Sequence, residues 1–126
     1  MDKQVTMQQI NWPAILQFDQ DDELLYLVNY QDWLSFICAN QFTLQAEDKL
    51  IDNAGHVYSI QKHPPQDPSV AELPLLVKLN QDMSVLQLLP LVRQYGQFQG
   101  HCCSAKIVFT TIEQGIATVA ELEQLY

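Results

Sequence analysis

The chain has 126 residues, of which 48% are hydrophobic and 17% charged, and its net charge is −9 at pH 7. That length suits one domain with its own core, and the composition is that of a folded protein, since a disordered chain is poorer in apolar residues. Only 6 Lys and Arg stand against 15 Asp and Glu, which excludes the basic footprint that nucleic acid or an anionic membrane surface requires.

Residues 1–10 carry no apolar h-region of a secretory signal and read as a flexible segment leading into a single globular domain over 1–126. No apolar run approaches the roughly 20 residues that span a bilayer. Three cysteines, two of them adjacent, make no disulfide framework, and cytoplasmic is the expected compartment. From Gln4 to Asp48 there is no Lys, Arg or His, whereas Asp19, Asp21, Asp22, Glu23, Asp32, Glu47 and Asp48 all fall within it. Charge of one sign over so long a stretch predicts a negative surface field that attracts basic groups.

Ala14–Phe18 and Leu24–Val28 are short apolar runs around an acidic stretch, and they predict a hairpin with an acidic tip. Pro13 fits ahead of the first strand, where a missing N–H costs least. Asn29, three residues before Asp32, predicts an N-cap; Tyr30, Trp33, Leu34 and Ile37 then follow helical spacing, with Phe36 widening the stripe, to an end near Asn40. Leu50-Ile51 and Val57–Ile60 flank Asp52-Asn53-Ala54-Gly55, the pattern of a hairpin with a type I turn and a glycine bulge. His63–Pro68 is a proline-rich loop. Leu75–Leu79 predicts a buried strand. Asp82 or Ser84 should open a helix, with Ser84 and Gln87 spaced as a capping box and Val85, Leu88, Leu89, Val92 and Tyr95 inward, which Pro90 should kink or break and Gly96 or Gly100 should end. Lys106–Phe109 predicts a strand, and Thr110 with Glu113 a capping box for a last helix with Ile112, Ile116, Val119 and Leu122 inward. The sum is an α+β single domain: two β-hairpins and further short strands in a mixed sheet packed with about three helices.

Few residues suggest chemistry. Asp19–Glu23 places oxygens as a calcium loop does, but Leu24 stands where the turn glycine belongs and Tyr30 where the bidentate glutamate belongs; a solvated hairpin tip is the reading. His101-Cys102-Cys103 gathers reactive atoms, yet adjacent cysteines converge poorly on zinc. Cysteine is commonly buried, so one or both are expected in the core. His56, Tyr58 and Ile60 share one face by alternation, that of a half-buried strand. Trp12 and Trp33 are of the type enriched at binding hot spots, against which core packing is the plainer account. No glycine-rich phosphate loop, G-x-S-x-G or dinucleotide fingerprint occurs in a chain with 4 glycines.

Trp12-Pro13-Ala14-Ile15, the acidic turn, Glu23–Leu27 and Asp32-Trp33-Leu34, with Asp52–Tyr58, Lys106-Ile107 and Ile112-Glu113-Gln114, resemble a family of small uncharacterised bacterial proteins. That family is a domain of unknown function marked by an N-terminal Trp-Pro-Ala motif. The resemblance spans nearly the whole chain and implies a bacterial cytoplasmic protein; it transfers no catalytic residue and draws attention to Trp12 and Pro13.

The functional expectation is a non-catalytic binding or regulatory protein that engages a basic protein through Trp12, Asp19, Asp21, Asp22, Glu23 and Asp32. No catalytic residue, metal ligand or cofactor is expected, and neither nucleic acid nor membrane is an expected partner; the chain is expected as a monomer or homodimer. Two alternatives stand beside it: a cysteine-dependent enzyme or redox protein using Cys102 or Cys103, and a homodimeric structural module packed through Trp12 across a two-fold axis.

Overall fold

A computed structural model of the chain describes residues 10–19, 21–40, 47–61 and 74–124. The expectations for residues 1–9 and for the His63–Pro68 loop lie outside them. Ile10, the last residue of the segment expected to be flexible, is instead buried in the core.

β1 (Ala14–Gln17) and β2 (Leu24–Leu27) form the first hairpin, and α1 (Tyr30–Asn40) follows. β3 (Lys49–Asp52) and β4 (Val57–Gln61) form the second hairpin, and β5 (Leu75–Lys78) adds to β4. α2 (Val85–Phe98), a 3-10 turn (Ser104–Lys106) and α3 (Ile112–Gln124) complete the described elements. The sheet order is β2-β1-β3-β4-β5. Alternation along each strand assigns the two faces. Ala14, Leu16, Leu27, Leu50, Tyr58, Ile60 and Leu76 pack with Trp33 and Ile37 of α1. Ile15, Leu24, Ile51 and Val57 pack with Leu88, Val92, Tyr95, Ile116, Val119 and Leu122 of α2 and α3. With both faces covered, a one-residue slip of β1 would send Ile15 to the wrong helix layer, so the register is strongly specified.

Local signals act where the chain carries them. Asn29 Oδ1 accepts the Asp32 N–H at 3.1 Å and starts α1. Ser84 and Gln87 close a reciprocal capping box on α2. α2 ends in a Schellman motif, with the His101 N–H on Gly96 O and the Gly100 N–H on Gln97 O, Gly100 supplying a φ of 86°. The second hairpin turns as expected: the Gly55 N–H donates to Asp52 O and the Asp52 N–H to His56 O.

Five expectations are corrected. Every strand pairing among the described residues is antiparallel, where a mixed sheet was expected. Lys106–Phe109, expected as a strand, instead makes the end of the 3-10 turn and then runs unpaired into α3. Its burial alternates like a strand, with Val108 74% exposed and Phe109 8%, but the Ile107 carbonyl accepts the Arg93 Nε–H of α2 at 2.8 Å. Pro90 does not break α2. It lies on the exposed face together with Leu86, whose carbonyl loses the i+4 donor on the solvent side, where water can replace it. The α3 box stands one residue later than expected: Thr111 Oγ1 accepts the Gln114 N–H, and Gln114 Oε1 reaches the Thr110 N–H. Finally, Cys102 and Cys103 are both exposed, because the Schellman turn carries the chain away from the core immediately before them.

α2 and α3 run side by side in the same direction. A Cβ on Gly115 would stand 2.7 Å from Leu88 Cδ2, and one on Gly96 would stand 3.6 Å from Leu122 Cδ1. The start of α3 therefore lies on the start of α2, and their C-terminal turns emerge together.

Candidate functional site

β1 is central among β2, β1 and β3, and its pairings put Gln17 opposite both Leu24 and Lys49. The loop after β1 and the residues before β3 thus leave the sheet at one end. There the Asp19 N–H donates to Asp48 Oδ1 at 2.7 Å, and Asp48 is buried. Phe18 anchors the same loop by packing its ring on Phe36 of α1, centroids 5.9 Å apart. Asp21, Asp22 and Glu23 are exposed. Glu47 meets Lys49 Nζ at 4.0 Å, a surface pair worth at most about 1 kcal/mol.

The helix layer adds to this charge. Glu123, in the last turn of α3, accepts the Tyr26 N–H of β2 at 2.9 Å and a hydrogen bond from the Tyr95 phenol. The Tyr95 oxygen in turn accepts Gln99 Nε2 at 2.7 Å. Burial raises the Glu123 carboxyl above the usual range; its two hydrogen bonds oppose that, and the charge of Glu23 raises it further. Burial also pushes Tyr95 up to about 12, with Glu123 and Glu23 adding to the shift and Gln99 opposing it. Neither α2 nor α3 has a basic residue in its last turn, so the partial negative charge of both helix ends is left uncompensated from within the helices. Loop carboxylates, Glu123 and two helix termini therefore share one end of the molecule.

The raised Glu123 carboxyl has a consequence for stability. A carboxyl whose folded pKa exceeds its unfolded value stabilises the fold below the unfolded pKa, and that contribution is lost as pH rises through the folded value. Glu123→Gln keeps an acceptor for Tyr26 and removes the charge. The variant should melt above the parent at pH 7 and level with it near pH 4; thermal melts across that range will show whether the difference closes on acidification.

The opposite end of the sheet holds the other expected residues. Asp32 Oδ2 accepts the Val28 N–H at 2.9 Å just beyond β2, at the end where Ala14 faces Leu27. Trp12, joined to Pro13 by a cis peptide bond, precedes β1 there and packs half-buried on the α1-side core. The structure thus brings Asp19, Asp21, Asp22 and Glu23 together and sets Trp12 and Asp32 apart. Asp32 and Glu123 act alike on the sheet edge. Each occupies an outward N–H of the edge strand β2 or its extension, which blunts that edge against strand addition.

Asp52 also lies at this end, fully buried. Its Oδ1 accepts the N–H groups of Ala54 and His56, both at 3.0 Å. Its Oδ2 accepts the Asn11 N–H at 3.1 Å, Asn11 Nδ2 at 3.2 Å and the Tyr58 hydroxyl at 3.1 Å, with His56 Nδ1 at 3.4 Å. Burial, then the charge and hydrogen bond of Asp52, push the Tyr58 phenol well above its ordinary range. A carboxylate so fully engaged ties the Trp12-Pro13 segment to the β3–β4 turn. Of the other cations, Lys78 pairs with Asp82 at 3.6 Å, Arg93 donates to the Ile107 carbonyl, which leaves its charge in place, and Lys106 stands exposed in the 3-10 turn after α2; Lys62 lies outside the described residues. Among the described residues no group of three or more His, Cys, Asp or Glu is placed to hold a metal ion, and no helix is long and apolar enough to cross a membrane.

Glu123, Glu47, Asp48 and Asp52 were not among the expected site residues. Glu47 and Asp48 were read as part of the acidic stretch and Asp52 as the residue opening an Asp-Asn-Ala-Gly turn; the bonds of Asp52 to Asn11 span 41 positions and leave no local mark.

The profile of a family described as a protein structure with unknown function matches residues 12–119. No curated protein matches the chain. Among solved structures, the NMR structure of the protein from Shewanella amazonensis is similar, with a TM-score of 0.63, 26% identity and 90% of each chain covered.

Proposed function

The chain belongs to the DUF4144 family, and on that premise we propose that it is a non-catalytic binding or regulatory protein whose acidic end engages a basic protein partner. The observation that carries this reading is the convergence of Asp19, Asp21, Asp22, Glu23, Glu47 and Glu123 with the C-termini of α2 and α3. Negative field concentrated in this way steers a basic partner and speeds its association more than it strengthens the final complex. Asp48 holds the loop through Asp19, which leaves Asp21, Asp22 and Glu23 facing solvent. The cytoplasm is the compartment we assign, on the ground that Cys38, Cys102 and Cys103 are unpaired thiols.

The test is capture of partners from the native extract at low and high ionic strength, with Asp21→Lys/Asp22→Lys beside the parent. Both positions are exposed, so the variant should stay within about 0.5 kcal/mol of the parent in stability. Its association rate with the captured partner should fall about tenfold or more, and high salt should reduce capture by the parent. Capture indifferent to both salt and the double substitution would remove this reading.

A further inference from the structure

Cys102 and Cys103 stand where α2 turns into the 3-10 helix, on a backbone pinned from both sides. Ahead of them the His101 N–H donates to Gly96 O at 3.0 Å; behind them the Ser104 N–H donates to His101 O at 3.3 Å and the Lys106 N–H to Cys103 O at 2.9 Å. In an extended chain neighbouring side chains point to opposite sides. This turn instead brings the two Sγ atoms to 3.7 Å, and both residues are exposed. Two thiolates held about 2.3 Å from a common pyramidal centre, opened to about 100°, stand about 3.5 Å apart. The sulfurs are therefore already spaced nearly as a two-thiolate chelate would hold them.

We propose that Cys102 and Cys103 form a two-thiolate clamp for a trivalent, thiophilic centre bearing one organic group, of which a monosubstituted arsenical is the simplest example. Soft thiolates select soft centres, and the number of ligands narrows the class. Zinc takes four ligands, and no described cluster reaches three. Two-coordinate soft ions favour a near-linear arrangement, which would set the sulfurs farther apart. A monosubstituted trivalent arsenical is completed by two sulfurs. In the binding step two As–S bonds form while the As=O bond and both S–H bonds break. The oxygen leaves with both protons as water, and no electron changes hands.

The same geometry separates this role from nucleophilic catalysis. The hydrogen bond with Cys102 raises the Cys103 thiol, and the C-terminal end of α2 also disfavours a nearby thiolate. A lone attacking thiolate is poorly served here, whereas a chelate is driven by two bonds formed together.

The probe is phenylarsine oxide added to the full chain, followed by native mass spectrometry and calorimetry. One arsenical per chain is expected, with the mass of one water lost, displaceable by a small 1,2-dithiol and not by a monothiol. Cys102→Ser and Cys103→Ser should each weaken binding about a hundredfold or more, because the second thiol's effective concentration is lost; Cys38→Ser should bind like the parent. Circular dichroism confirms that the exposed serine variants stay folded. Parent-like affinity in either single variant, or loss of binding in Cys38→Ser, would overturn the clamp. The outcome is independent of the acidic-end reading, which neither cysteine enters.

Discussion

Asp52→Ala should lower the unfolding free energy by about 3–5 kcal/mol, the range for removing one partner of a buried charged network. In a urea titration it should appear as a shifted midpoint at an unchanged slope. The substitution strands donors from three parts of the chain: Asn11, the Ala54 and His56 amides of the turn, and the Tyr58 hydroxyl. Each buried donor left without an acceptor costs about 1–3 kcal/mol, but the terms do not simply add. Asn11 and Ala54 are exposed and can turn to water, whereas Tyr58 is 1% exposed and cannot. Asp52→Asn separates shape from charge. Its amide oxygen can still accept the turn amides, while its NH2 faces the Asn11 donors, so a loss of about 2 kcal/mol is expected. Asp52→Ala within about 1 kcal/mol of the parent, the centre of ordinary substitutions, would show that this carboxylate does not hold the N-terminal segment to the turn.

Carboxylates in this chain do three different jobs, and sequence distinguishes them unevenly. Asp52 and Asp48 are internal anchors, Asp32 and Glu123 satisfy outward amides beside β2, and Asp21, Asp22 and Glu23 face solvent. Roles built from neighbours in sequence were legible: the Asn29 cap, the Ser84 box, the acidic hairpin tip and the Asp52–Gly55 turn each depend on residues within a few positions. Roles built across the fold were not. Glu123 finds the Tyr26 amide 97 positions away, and nothing in either segment marks the other. The unbroken acidic stretch promised one patch, yet antiparallel pairing of β1 with β2 sends Asp19 and Asp32 to opposite ends of the strands. The strand expected over Lys106–Phe109 failed for a similar reason: Ile107-Val108-Phe109 alternates because it lies between α2 and solvent, and burial alternates along any extended segment laid on an apolar surface. Excluding it from the sheet required knowing that its Ile107 carbonyl is taken by Arg93 of α2.

Gly55→Ala should cost about 2–4 kcal/mol, from a strained dihedral and a crowded Cβ acting together. Elsewhere a Gly→Ala change can stabilise by about 0.4–1 kcal/mol by restricting the unfolded chain, so the sign depends on the native geometry. Here φ is +88°, and an added Cβ would stand 2.9 Å from the Met83 carbonyl oxygen and 3.4 Å from Ile112 Cγ1. The first obstacle is backbone, and it cannot swing aside: the Met83 N–H donates to Gly55 O at 2.8 Å, and Ser84 next to it caps α2. Relief of the contact would have to move the β3–β4 turn away from the start of α2, or shift Ile112 at the start of α3. Gly55→Asn separates the two causes, because asparagine tolerates the left-handed region yet carries the same Cβ. Equal losses in the two variants would place the cost in the approach to Met83, and a smaller loss for asparagine would place it in the dihedral. Either variant matching the parent in a denaturant titration would mean that the turn does not brace the two helices, and the joint between sheet and helix layer would have to be sought elsewhere.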